Sequence, residues 1–80
     1  MTRYFFDVHQ NGQFYKDTEG TDLASVEMVR AEAMESLPEM ARDAMSGNKD
    51  DRQAFSMTVT DEYGKPIYSG TLTFAGLWLN

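Results

Sequence analysis

Ser25-Val-Glu-Met-Val-Arg-Ala-Glu-Ala-Met-Glu-Ser-Leu-Pro-Glu-Met-Ala-Arg-Asp-Ala-Met-Ser46 is the one segment of this chain long enough and periodic enough to form a full-length helix. Val26, Val29, Ala33, Leu37, Met40 and Ala44 recur at steps of three and four, which stacks them along one face. Glu32, Glu35, Glu39, Arg42 and Asp43 fall on the opposite side, which is expected to face water. Met34, Ala41 and Met45 flank the stripe and read as secondary core positions, the sharper alternative being a pliable partner groove. Ser25 is expected to cap the first turn through its hydroxyl, and Gly47 to end the helix in a left-handed conformation. Pro38 sits inside the periodic run, where it removes one hydrogen bond and crowds the preceding turn. Ser36-Leu-Pro-Glu39 has capping-box spacing, which would suit a break and restart. The stripe passes through Pro38 in phase, so a continuous, kinked helix is expected.

Outward from the helix the chain reads as strand and turn. Tyr4, Phe6 and Val8 alternate with Phe5, Asp7 and His9, and Asn11-Gly12 has the composition of a two-residue hairpin turn. That turn pairs Gln10 with Gln13, His9 with Phe14, Val8 with Tyr15 and Asp7 with Lys16, the last a pair of opposite charges. Asp17 to Thr21 is polar, contains Gly20 and reads as a loop. Asn48 to Asp51 reads as a charged loop, after which Gln53–Glu62 and Lys65–Phe74 form a second hairpin about Tyr63-Gly64. Its register opposes Val59 to Tyr68, Met57 to Gly70 and Phe55 to Leu72 on one face. Thr60–Ile67, Thr58–Ser69 and Ser56–Thr71 share the other, since a shift by one residue would mix polar with apolar on both. The expected fold is α+β: two hairpins flank one helix (ββαββ), and the helix packs on one face of a four-stranded antiparallel sheet. Residues 1–80 form a single domain, with hairpins at 3–17 and 53–74, the helix at 25–46 and an apolar tail at 75–80.

The order of features resembles a family of short uncharacterised proteins from rhizobia and related alphaproteobacteria. The resemblance is carried by Arg3-Tyr-Phe-Phe-Asp-Val-His9, Asp17-Thr-Glu-Gly-Thr-Asp-Leu23, Arg30-Ala-Glu-Ala33, Ala41-Arg-Asp43 and the turn Asp61-Glu-Tyr-Gly-Lys-Pro66. It spans nearly the whole chain and departs from the pattern at Pro38 and in the apolar tail. It implies the fold and no activity. The first half also resembles antitoxins of the HicB type, which open with a hairpin, an acidic-glycine loop and a helix; no site residue follows from that likeness.

The net charge is −6, and the seven basic residues are scattered without a run or stripe, which argues against a nucleic-acid partner. No apolar run approaches the ~20 residues that cross a bilayer, and no basic-then-apolar leader opens the chain, so a cytoplasmic protein without membrane contact is expected. Cysteine is absent, which removes disulfides, thiolate metal sites and cysteine nucleophiles.

Each candidate for chemistry has a plainer explanation. His9, the single histidine, could join Asp7 and a carboxylate of the Asp17–Glu19 loop around a metal, but zinc sites draw on more than one His or Cys. Ser56, Ser69 and Thr71 belong to the polar sheet face with nothing to orient a triad. Asp50-Asp51 and Asp61-Glu62 sit in turns, where acidic residues are common. Glu32, Glu35 and Glu39 lie on a solvated helix face. No catalytic, cofactor-binding or metal residue is therefore assigned, and no enzyme is expected.

What remains is the sheet face away from the helix. Phe5, His9, Phe14 and Ile67 share it by register, and Leu77 and Leu79 join them if the last strand continues, with Trp78 at the junction. A contiguous apolar patch of this kind meets protein more often than solvent. The reading is a small non-enzymatic protein-interaction module that self-associates as a homodimer, or meets another protein, through Phe5, His9, Phe14, Ile67, Leu77, Trp78 and Leu79. The alternative is an antitoxin-like regulator that binds a partner toxin or nucleic acid.

Overall fold

The first strand is the hub of the architecture. In the computed structural model, which describes all 80 residues, β1 (Thr2–Gln10) is contacted by three other strands. β2 (Gln13–Tyr15) and β3 (Thr21–Leu23) lie end to end along it, and β4 (Arg52–Thr60) pairs with its other edge. β5 (Pro66–Ala75) completes the sheet in the order β2-β1-β4-β5, every pair antiparallel. α1 (Glu27–Gly47) crosses one face, above β4 and β5 more than above β1. The fold is α+β with one helix and five strands. No helix is long and apolar enough to cross a membrane.

The fifth strand is β3, which begins at Thr21, where the expected loop ends, and runs over residues given no element in the sequence. Its three residues are too few to show alternation, and only Leu23 is buried. Their register against β1 supplies the missing reason. Thr2 faces Leu23, Tyr4 faces Thr21, and Arg3 faces Asp22. Arg3 grips that carboxylate with two nitrogens, Nε to Oδ1 at 3.0 Å and NH2 to Oδ2 at 3.1 Å.

The first hairpin has the expected register, with Val8 opposite Tyr15, His9 opposite Phe14 and Gln10 opposite Gln13. Asn11 (φ 50°) and Gly12 (φ 88°) both take the positive φ that a two-residue turn of this hand demands. The Asp7–Lys16 ion pair does not form. β2 stops at Tyr15, and Asp7 instead accepts the amide of Asp17.

The second hairpin keeps its expected register from Gln53–Phe74 to Val59–Tyr68 but reaches it by another route. The Asp61 amide donates to the Lys65 carbonyl at 2.9 Å and that of Gly64 to Asp61 at 3.0 Å, so the loop holds three residues, not two. Asp61 Oδ1 also accepts the amides of Tyr63 and Lys65, and Gly64 (φ 82°) closes the turn. Thr60 then faces Pro66, and a bulge between Val59 and Thr60 restores the pairing. Ile67 is the extra residue. It packs with Tyr68 against the core on the helix side, not on the open face opposite Thr60.

The core joins Tyr4, Phe6 and Val8 of β1 to Phe55, Met57 and Val59 of β4, under Val29, Ala33, Leu37 and Ala41 of α1 and beside Leu23. Phe6 faces Val59 and Val8 faces Met57 across the β1–β4 seam. Met40 and Ala44 are half-buried against this cluster, whereas Val26 and Leu72, expected inside, stand at the rim. α1 runs unbroken through Pro38. Ser36 donates to Glu32 at 3.0 Å and caps nothing.

Both expected caps differ. The helix starts at Glu27 with no side-chain cap, and the amides of Met28 and Val29 bond the carbonyls of Ser25 and Val26. Gly47 is the last helical residue, followed by an extended Asn48. Tertiary structure supplies the stop. The buried Gln53 donates through Nε2 to the carbonyls of Asn48 (2.8 Å) and Asp50 (3.1 Å) and accepts from Asn11 Nδ2 at 3.3 Å. Asn11 also accepts the Ala54 amide, so one polar knot ties the first turn to the start of β4.

Met57→Ala is expected to lower the unfolding free energy by about 2–5 kcal/mol, read from the urea midpoint. Pro38→Ala should raise it by about 1–3 kcal/mol, because it restores a donor inside a continuous helix. A loss of stability would show instead that the rigid proline is needed there.

Candidate functional site

The acidic-glycine loop that follows β2 is the most tightly built polar feature of the surface. β2 and β3 leave Phe5–Asp7 of β1 unpaired between them, and Asp17 fills that gap. Its Oδ2 accepts the Phe6 amide at 3.0 Å, while Oδ1 accepts those of Glu19 (3.1 Å) and Gly20 (2.9 Å). Its own amide donates to Asp7 Oδ1 at 2.9 Å. Burial alone, the largest single influence, would raise the Asp17 pKa. The hydrogen bonds from Gly20, Phe6 and Glu19, with the charge of Lys16, outweigh it and hold the carboxylate below its ordinary value. Gly20 (φ 77°) is required by contact as well as conformation. A Cβ there would come within 2.8 Å of Arg3 Cγ and 3.0 Å of the Tyr4 carbonyl oxygen.

These carboxylates serve the fold. Asp7 and Asp17 are engaged by backbone amides, and no three His, Cys, Asp or Glu side chains converge as a metal cluster. His9 turns instead to Phe14, the ring centroids 4.7 Å apart and tilted by 38°.

The residues singled out in the sequence separate into three places. Phe5, His9 and Phe14 share the open face, with His9 and Phe14 exposed and Phe5 half-buried beside Gly20. Ile67 lies on the helix side for the reason given above. Leu77, Trp78 and Leu79 project into solvent, more than four-fifths exposed. β5 ends at Ala75, where the Gly76 amide donates to the Asp51 carbonyl at 2.6 Å, so alternation does not carry the tail onto the open face. Between Phe14 and the tail the face is hydroxylic: Ser56, Thr58 and Thr60 on β4, Ser69, Thr71 and Thr73 on β5.

A second surface lies beside Met34, which is 63% exposed and lines a groove where a core position was expected. β5 is the outermost strand, ten residues long without a charged side chain, and its outer edge has no neighbour. On the helix side Leu72 and Phe74 are 36% and 45% exposed. Between β5 and α1 runs a groove of about 370 Å³ lined by Arg30, Met34, Leu37, Pro38, Tyr68 and Leu72, among others. Arg30, Met34 and Pro38 follow at steps of four, a signal for this flank that the stronger core stripe overshadowed.

The sequence profile of a family described as Domain of unknown function (DUF6894) matches residues 3–73. The chain belongs to this family. The match takes in β1 through most of β5, with the Asp17–Gly20 loop and the β5 edge, and stops short of the apolar tail. No curated protein and no solved structure matches the chain. Membership fixes kinship without an activity, and the function of the domain is unknown.

The pH dependence of the Asp17 joint has a definite sign. Its pKa is lowered by folding, so its contribution to stability is complete above the ordinary value of 3.8 and drains away as the pH falls through the lower folded value. Asp17→Asn should lower stability at neutral pH by about 1–3 kcal/mol, with a smaller further loss on acidification than the parent shows in thermal melts. Gly20→Ala should cost about 2 kcal/mol or more; an unchanged melting temperature would refute the close approach to β1.

Proposed function

We propose that this domain is a small non-enzymatic protein-interaction module whose partner is a second copy of itself. One observation carries the reading. Of the large apolar side chains left exposed, Met34, Leu72, Phe74, Leu77, Trp78 and Leu79 belong to the flank of α1 beside β5, to β5 and to the tail that leaves it, while Met1, Phe14, Tyr15, Val26, Met28 and Tyr63 are spread over the rest of the surface. A scattered set would be ordinary, but a contiguous one marks a contact surface. The polar features point the same way, since Asp7, Asp17, Asp61 and Gln53 are each spent on backbone groups.

The antitoxin-like alternative lacks comparable support. A nucleic-acid surface needs grouped cations. Arg3, one of the seven basic residues, is held by Asp22 and by the Glu19 carbonyl at 2.7 Å.

Multi-angle light scattering at tens of micromolar should give the mass of a dimer for the full chain. A chain ending at Ala75 should associate at least tenfold more weakly. Monomer mass for the full chain at these concentrations overturns the reading.

A further inference from the structure

The edges of the sheet are guarded unequally. On one side β2 and β3 are three residues each, interrupted by the Asp17 loop, with Lys16 next to β2 and Asp22 within β3. Short pieces, charges and a break are what keep an edge from recruiting another strand. β5 has only Pro66 at its first position and the bulge at Ile67 next to it. Past the bulge at Ile67, the eight residues Tyr68–Ala75 at ~3.3 Å each give a regular run of ~26 Å.

Register shows which groups point outward. Asn11 N–H bonds the Ala54 carbonyl and Asp61 N–H the Lys65 carbonyl, so even-numbered residues of β4 turn toward β1 and odd-numbered ones toward β5. Gln53–Phe74, Phe55–Leu72, Met57–Gly70 and Val59–Tyr68 are then the hydrogen-bonded pairs of the β4–β5 ladder. The amides and carbonyls of Ser69, Thr71 and Thr73 face away from the sheet.

Resting on the self-association proposed above, we infer that its seam is this edge: β5 pairs antiparallel with β5 of a second copy about a two-fold axis near Thr71. The sheet becomes one continuous layer of ten strands, with both helices on the same face. The position of α1 selects a second copy as the occupant. The helix lies over the β4–β5 pair, so a two-fold at the outer edge sets the two helix axes two strand spacings apart. That is ~9.6 Å, within the ~8–10 Å at which helices pack. Met34 and Pro38 on the facing flanks, with Leu72 beside them in the groove and Phe74 farther along β5, are the side chains this junction would bury. An unrelated peptide strand would pair with the edge and leave the helix flank open.

The antiparallel sense also brings the tail of each copy beside the start of its partner's β5. There Val26, Val29, Arg30, Ile67 and Tyr68 line a second groove, of about 240 Å³. Trp78, the only tryptophan and 87% exposed in the single chain, is placed to enter it.

Thr71→Pro tests the seam, since it deletes an outward amide and no bond of the β4–β5 ladder, the edge position at which proline is tolerated. The expected result is monomer mass with unchanged far-UV circular dichroism, and Trp78 emission shifted to the red of the parent dimer. Met34→Glu changes a side chain 63% exposed in the single chain, so it leaves the fold intact and should weaken association at least tenfold. Phe14→Ser, on the open face, should leave association unchanged. Dimers that survive both Thr71→Pro and Met34→Glu, or are lost with Phe14→Ser, overturn the edge seam while self-association stands. A parent chain that is itself monomeric removes the reading beneath it.

Discussion

The β1–β4 pairing is the constraint on which the rest of the molecule depends. It joins strands separated by more than 40 residues and lays Phe6 on Val59 and Val8 on Met57 in the middle of the sheet. Either hairpin alone would have one ladder and no buried face, which is marginal in water. Joined, they form a surface wide enough for α1, and only then do Val29, Ala33, Leu37 and Ala41 leave water. The polar knot at Gln53 belongs to the same event. Its amide ends the helix and its carbonyl accepts from Asn11, so helix stop, first turn and β4 are aligned by one buried side chain.

Midway along β1 a carboxylate takes over the work of a strand. The chain must leave β2, step over the middle of β1 and return as β3, which strands the Phe6 amide. Asp17 satisfies it while holding its own loop together with Oδ1. Apolar packing could close such a gap without meeting the amide, and an unmet buried donor is costly. The acidic-glycine sequence is thus explained as structure. Gly20 lets the loop lie against β1, and Asp17 fastens it there.

With those polar residues assigned to the fold, the largest group of exposed apolar side chains left to explain lies along α1, β5 and the tail. It borders the only long unguarded strand edge. A core that consists of 11 buried apolar residues is small for an 80-residue domain without disulfides, and domains of this size often gain stability by association. Membership of a family of unknown function leaves that assembly to be judged on physical grounds.

The sequence by itself determined the helix and both hairpin registers, because each is written in a period: three-and-four steps from Val29 to Ala44, alternation from Tyr4 to Val8 and from Phe55 to Val59. Asn11-Gly12 was legible for a local reason, the positive φ that these residues accept. Tertiary structure alone decided the strand order, β3, the helix stop, the side on which Ile67 sits and the fate of the tail. Those depend on partners distant in the chain. Three residues of β3 carry no period, and Gln53 holds the Asn48–Asp50 segment that follows a helix whose own last residues give no hint of it. The longer loop at Glu62–Gly64 and the bulge at Ile67 cancel in register, so parity could find the pairing and still miss the route. The predicted apolar cluster was split for the same reason: alternation places a side chain on a face only while the strand lasts, and β5 ends at Ala75.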